Sequence, residues 1–121
     1  MILIDTNIFV DHLRNYPLAV EFFNSLTYAI YSAVTEAELL AGKANDDEEK
    51  REKLMHFLHR WEKIHVTNPV AVLAGDLARK HNIEIPDAII AATALLNEAT
   101  LVTRNIKDFE RVENLKLEMP Y

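Results

Sequence analysis

Residues 1–7 read Met1-Ile2-Leu3-Ile4-Asp5-Thr6-Asn7. Three consecutive apolar residues suit a strand buried on both faces, as in parallel sheets, and Asp5 marks where that strand leaves the core. Thr6 or Asn7 is placed to cap a helix carrying Phe9, Val10 and Leu13. After Pro17, the residues Ala19, Phe22, Phe23 and Leu26 recur at helical spacing, and Tyr28-Ala29-Ile30-Tyr31-Ser32 reads as the next strand. Thr35-Glu36-Ala37-Glu38 has the form of a capping box and opens a helix expected to end at Gly42.

Asp46 to Lys63 is expected to form one amphipathic helix with Leu54, Phe57, Leu58 and Trp61 on its apolar stripe. Its acids crowd the N-terminus and its bases the C-terminus, which complements the helix dipole. Ile64-His65-Val66 suits a short strand; Asn68 as cap and Pro69 at the first helical position open a helix with Val70, Leu73, Ala74, Leu77 and Ala78. Pro86 opens another, uniformly small and apolar from Ala88 to Leu96. Thr100 to Thr103 reads as a strand, Arg104 to Glu110 as a loop with a helical turn, and Leu115-Lys116-Leu117 as an edge strand. Strands alternating with helices imply right-handed crossovers and a three-layer α/β/α sandwich, its mostly parallel sheet having four to five strands. Residues 1–121 are expected to form one domain, with the ligand site beyond the C-terminal strand ends and Asp5 at its mouth.

Composition removes several function classes. Among 121 residues there is no cysteine, hence no disulfide framework, thiolate zinc site or thiol nucleophile. Two glycines in unrelated contexts, Gly42 and Gly75, cannot form a Gly-rich phosphate cradle, and neither Ser25 nor Ser32 lies in a nucleophile elbow. No run approaches membrane-spanning length and no basic segment precedes the first apolar run, so the expected location is the cytoplasm. The net charge of −6 argues against a broad basic face for nucleic acid. His12, His56, His59, His65 and His81 are scattered, and none forms a ligand pair.

Four acids share a placement. Asp5 follows the first strand, Glu38 occupies the fourth place of the T-x-x-E box, Asp87 opens the buried helix after Pro86, and Asp108 lies in the loop after the Thr100–Thr103 strand. Each has a structural explanation as a cap, a dipole partner or a turn residue. All four nevertheless border one edge of the expected sheet, where uncompensated carboxylates would repel one another and a shared cation is the natural resolution. An all-oxygen donor set favours Mg²⁺ or Mn²⁺ over zinc.

Ile4-Asp5-Thr6-Asn7, Thr35 to Gly42 (TEAELLAG), Pro86 to Ala94 (PDAIIAATA) and Val102 to Phe109 (VTRNIKDF) resemble, in order and spacing, the motifs of PIN-domain ribonucleases. They are most similar to those of the VapC toxins of toxin–antitoxin pairs, and the resemblance spans nearly the whole chain. It implies a PIN-like fold and Mg²⁺-dependent hydrolysis of RNA, with Mn²⁺ as a possible substitute. Asp5, Glu38, Asp87 and Asp108 would be the metal and catalytic acids, backed by Thr6, Asn7, Thr103 and Asn105. Many PIN domains carry an acid where this chain has Asn105, and Asp108 is the acid of its N-x-x-D-F ending. Arg104 and Lys107 are candidates for contacting the substrate phosphate, beside their ordinary role as solvent-facing loop residues. A cognate antitoxin and a second copy of the chain are the partners implied, no membrane being involved, and part of the apolar set Phe9, Phe22, Phe23 and Leu26 is a candidate for facing a partner groove.

Other readings compete with this one. A PIN-like module that binds RNA or protein without cleaving it is kept open by Asn105. A haloacid-dehalogenase-like phosphatase would need Asp where Asn7 stands, and a receiver domain would need a phosphoacceptor Asp on a middle strand. Setting the four acids aside leaves 15 acidic residues against 13 basic ones, so most of the acidic excess is the candidate site itself. RNA would then be held locally, through metal and a few cations near Arg104, Lys107 and Arg111.

Overall fold

The computed structural model describes residues 1–121. Five strands, β1 (Ile2–Ile4), β2 (Ile30–Ser32), β3 (Glu62–Ile64), β4 (Thr100–Val102) and β5 (Leu117–Glu118), form one sheet in the order β3-β2-β1-β4-β5. Every pairing is parallel, with Leu3 beside Ile30 on one side and Leu101 on the other. Seven helices connect them: α1 (Thr6–Leu13), α2 (Pro17–Ser25), α3 (Ala33–Leu40), α4 (Glu48–Leu58), α5 (Asn68–His81), α6 (Ile85–Leu96) and α7 (Ile106–Phe109). The expected α/β/α architecture is the one observed.

The strand period of two divides the core. Leu3, Ile30 and Leu101 point to one face, where α5, α6 and Phe109 of α7 cover them. Ile4, Tyr31 and Val102 point to the other, against Ile8, Phe9, Phe23, Leu39, Leu54 and Leu58. The chain first builds the sheet from β1 through β2 to β3, then crosses β1 to place β4 on its other side. The C-terminal ends of β1 and β4 therefore flank the switch point, where the two following loops part in opposite directions and leave a crevice. No helix is long and apolar enough to cross a membrane.

Several local expectations are corrected. Asp5, rather than Thr6 or Asn7, caps α1, its Oδ1 accepting from the Thr6 N–H at 2.8 Å. Ser32 caps α3 by accepting from the Val34 N–H, so Thr35 and Glu38 lie inside the helix and form no capping box. Gly42 has an ordinary φ of −66°, and the amide of Asn45 satisfies the last α3 carbonyls instead, donating to Leu39 O at 2.8 Å and Leu40 O at 3.4 Å. The 46–63 helix is shorter than expected because Asp47 caps α4 and the chain turns after Leu58. Trp61 then buries its ring, and the Glu62 N–H donates to Ala29 O, drawing residues 62–64 into the sheet two positions earlier than expected. Thr67 caps α5 one residue before Asn68, and β5 follows Leu115 by two residues. Phe9 and Phe23 are core, while Phe22 and Leu26 are partly buried against the same cluster, and Phe22 also lines a shallow cleft with Leu18, Glu21 and Tyr121.

Candidate functional site

Asp5 emerges where β1 ends, and its backbone is pinned to β4 by donation from its N–H to Val102 O. The side chain is only 4% exposed. The Thr103 hydroxyl, one residue past β4, donates to Oδ2 at 2.7 Å while the Thr6 N–H holds Oδ1. Burial raises the Asp5 pKa above its ordinary value, Glu38 and Asp108 raise it further, and the two hydrogen bonds oppose them. Thr103 in turn accepts from the Asn105 N–H at 2.9 Å and lies 3.5 Å from the Asn7 amide nitrogen. The switch point of the sheet is therefore tied together by the polar residues at the ends of its two central strands.

Glu38 enters from α3, which touches both α1 and α6. The Thr6 hydroxyl donates to Glu38 Oε1 at 2.8 Å and lies 2.8 Å from the Thr35 hydroxyl. Because Thr6 has one hydroxyl proton and gives it to Glu38, the fully buried Thr35 is the donor to Thr6. Thr35 thus acts through Thr6 on Glu38, a function that its apparent capping-box pattern concealed.

Asp87 lies in the first turn of α6. The chain reaches it by a sharp reversal at Asn82, which ends α5 in the left-handed region at φ 54°. Burial first, then Asp5, Glu38, Asp108 and Glu84, push the Asp87 carboxyl up to about 6. Asp87 and Asp108 share a cleft of about 330 Å³ with Asn82, Ile83 and Glu84. Glu84 is a fifth acid that the sequence reading did not select; its only signal was its place three residues before Asp87.

The structure thus gathers the four predicted acids into mutual electrostatic range, from four separate segments. None of them forms an ion pair with Lys or Arg. No three of the Asp, Glu and His groups converge as a ready-made metal-binding set, as suits carboxylates that repel one another. The donor chemistry nonetheless fits a hard divalent cation: carboxylate oxygens with no nitrogen or sulfur ligand among them. The buried Asn7 Oδ1, next to the site, has no hydrogen-bond partner and adds a free oxygen acceptor.

The two predicted substrate cations differ. Arg104 is engaged by Asp11 of α1, Nε to Oδ2 at 2.7 Å and a terminal nitrogen to Oδ1 at 3.2 Å. Lys107 has no ion-pair partner and is exposed. It lines a cleft of about 600 Å³ that shares Asp108 with the acidic cleft.

The PIN domain family matches residues 2–115. Ribonuclease VapC19 of Mycobacterium tuberculosis is 35% identical, with 96% of this chain and 98% of that protein covered. Among solved structures, VapBC2 from Rickettsia felis bound to a promoter DNA fragment superimposes with a TM-score of 0.83 at 32% identity, covering 98% of both chains. DNA-bound VapBC from Salmonella typhimurium gives 0.86 at 28% identity, covering 100% of both. With its parallel sheet, its strand-end acids and these relatives, the chain belongs to the PIN-domain family, in its VapC group.

Proposed function

We propose that this protein is a divalent-metal-dependent endoribonuclease and the toxin of a VapBC-type toxin–antitoxin pair, acting as a single PIN domain over residues 1–121. The observation that carries the reading is the set of four acids, Asp5, Glu38, Asp87 and Asp108, gathered at the switch point of the sheet without a cationic partner. Mg²⁺, or Mn²⁺ in its place, would be held by these carboxylates and would supply charge neutralisation at the phosphate and a water acidified for attack. The chain's own residues set up that chemistry. Thr103 and the Thr6 N–H fix the two Asp5 oxygens, Thr35 and Thr6 orient Glu38, and Asn7 and Asn105 bracket Thr103. Lys107, beside Asp108, is the free cation placed to meet substrate phosphate.

The names of the relatives support RNA as substrate and an antitoxin as partner. A homodimer and a cytoplasmic location belong to the same reading, the dimer being measurable by light scattering at high concentration. The deciding experiment is cleavage of mixed RNAs in Mg²⁺, Mn²⁺ or EDTA by the natural protein and by Asp5→Asn. The expected result is metal-dependent cleavage that falls by about a hundredfold or more in the variant, with unchanged circular dichroism. Cleavage that survives in a folded Asp5→Asn protein would show that the reaction site lies elsewhere. Binding without metal-dependent cleavage by the natural protein would favour the non-cleaving PIN-like module that Asn105 keeps open.

A further inference from the structure

Asp11, Arg104 and Tyr121 come from three distant parts of the chain and meet at one carboxylate. Arg104 holds Asp11 through two nitrogens, at 2.7 and 3.2 Å, and the Tyr121 hydroxyl donates to Asp11 Oδ2 at 2.6 Å. The Asp11 side chain is 13% exposed, so this is a largely desolvated charge with both oxygens occupied. The Tyr121 ring lies 5.5 Å from that of Tyr16 and 6.5 Å from that of Phe22, centroid to centroid, which anchors the last residue on α2 and the turn before it. Burial and the Asp11 charge raise the Tyr121 pKa well above its ordinary value, so its hydroxyl stays protonated and keeps donating.

Arg104 stands between two residues of the candidate site. Thr103 before it donates to Asp5, and Asn105 after it donates its N–H to Thr103 and accepts the Asp108 N–H at its carbonyl. Whatever fixes Arg104 therefore fixes the backbone from which Thr103 and Asp108 project. The short helix α7 that follows has no side-chain hydrogen bond capping its N-terminus; Phe109 holds its far end in the core, and at its near end the Arg104–Asp11 pair is the long-range side-chain anchor.

We propose that Asp11 and Tyr121 are positioning residues: with Arg104 they form a clasp that holds the Thr103–Asp108 segment in register with Asp5. The clasp accounts for Arg104 being committed to Asp11, and it makes the affinity of the acidic site for its cation depend on a hydroxyl at the far end of the chain. The inference rests on the metal-site reading above.

Two charge-preserving variants test it without altering the electrostatic field around the acids. Tyr121→Phe removes one hydroxyl and keeps the ring packing; Arg104→Lys keeps the charge and loses the two-nitrogen grip. The measurement is the midpoint of Mg²⁺-induced thermal stabilisation of the full chain without RNA. Each variant should raise the Mg²⁺ midpoint by about tenfold, the lower end of what losing an outer partner of a metal ligand costs. The double variant should be no worse than the worse single one, because both act through one carboxylate. Variants that melt earlier yet keep the natural Mg²⁺ midpoint would overturn the proposal in favour of a purely packing role. Effects that multiply in the double variant would also overturn it, since they would mean separate routes. If the natural protein itself showed no Mg²⁺ stabilisation, the failure would lie with the metal-site reading.

Discussion

The Asp87 carboxyl combines burial with four acidic neighbours, and its folded pKa of about 6 stands above the ordinary 3.8. Between these values the folded state binds more protons than the unfolded one, so stability falls as pH rises through the window. The contribution is fully retained below 3.8 and lost above about 6. A shift of this size in a fully buried group would be worth about 3 kcal/mol; the half-exposed Asp87 retains on the order of 1 kcal/mol after solvent screening. Asp87→Asn in EDTA should therefore be more stable than the natural protein at about pH 8, with the advantage shrinking as pH falls from 6 towards 4. Mg²⁺ should stabilise the natural protein and reverse the order. Urea denaturation across this range checks it, and parallel stability–pH curves for the two proteins would show that Asp87 carries no such strain.

At the scale of elements, α5 carries a glycine in its middle that its surroundings do not require. Gly75 lies in the middle of the 14-residue helix, and a Cβ built there meets nothing within 4 Å. Gly75→Ala should stabilise the fold by about 1 kcal/mol through helix propensity and a less flexible unfolded chain, read as a rise of a few degrees in melting temperature. A fall would mean that α5 packs more closely than this isolated chain shows. How much was legible in the sequence follows the same division between local and distant causes. Ile2-Leu3-Ile4 announced β1, and the Pro-led starts of α5 and α6 announced those helices to within a residue, because apolar period and proline chemistry are local. The start of α3 was misplaced because Ser32 and Thr35 both suit a cap, and only the buried contact of Thr35 with Thr6, 29 residues away, decides between them. The positions of Asp5 and Asp87 were readable from strand and helix ends. The clasp was not, since Asp11 meets its partners across 93 and 110 residues and no local pattern encodes that meeting.

For the whole molecule, the net charge of −6 and the small number of unengaged cations beside the acids set how RNA can be held. Arg104 is committed to Asp11, Lys63 to Glu36, Arg79 to Asp76 and Lys53 to Glu49, while Arg60 lies over the Phe57 and Trp61 rings. Lys107 remains beside the acids, on the cleft that meets them at Asp108. Affinity for single-stranded RNA should therefore depend only weakly on salt, because few phosphates are neutralised and the logarithmic slope scales with their number. In the Asp5→Asn background, which should leave RNA uncut, Lys107→Gln should weaken binding and reduce that slope by about 0.7, the share of one phosphate contact. Filter binding at several salt concentrations measures both quantities. A slope unchanged by Lys107→Gln would mean that the strand leaves the acidic cleft on the opposite side, past Asn82 and Glu84, where neither residue offers a positive charge to follow.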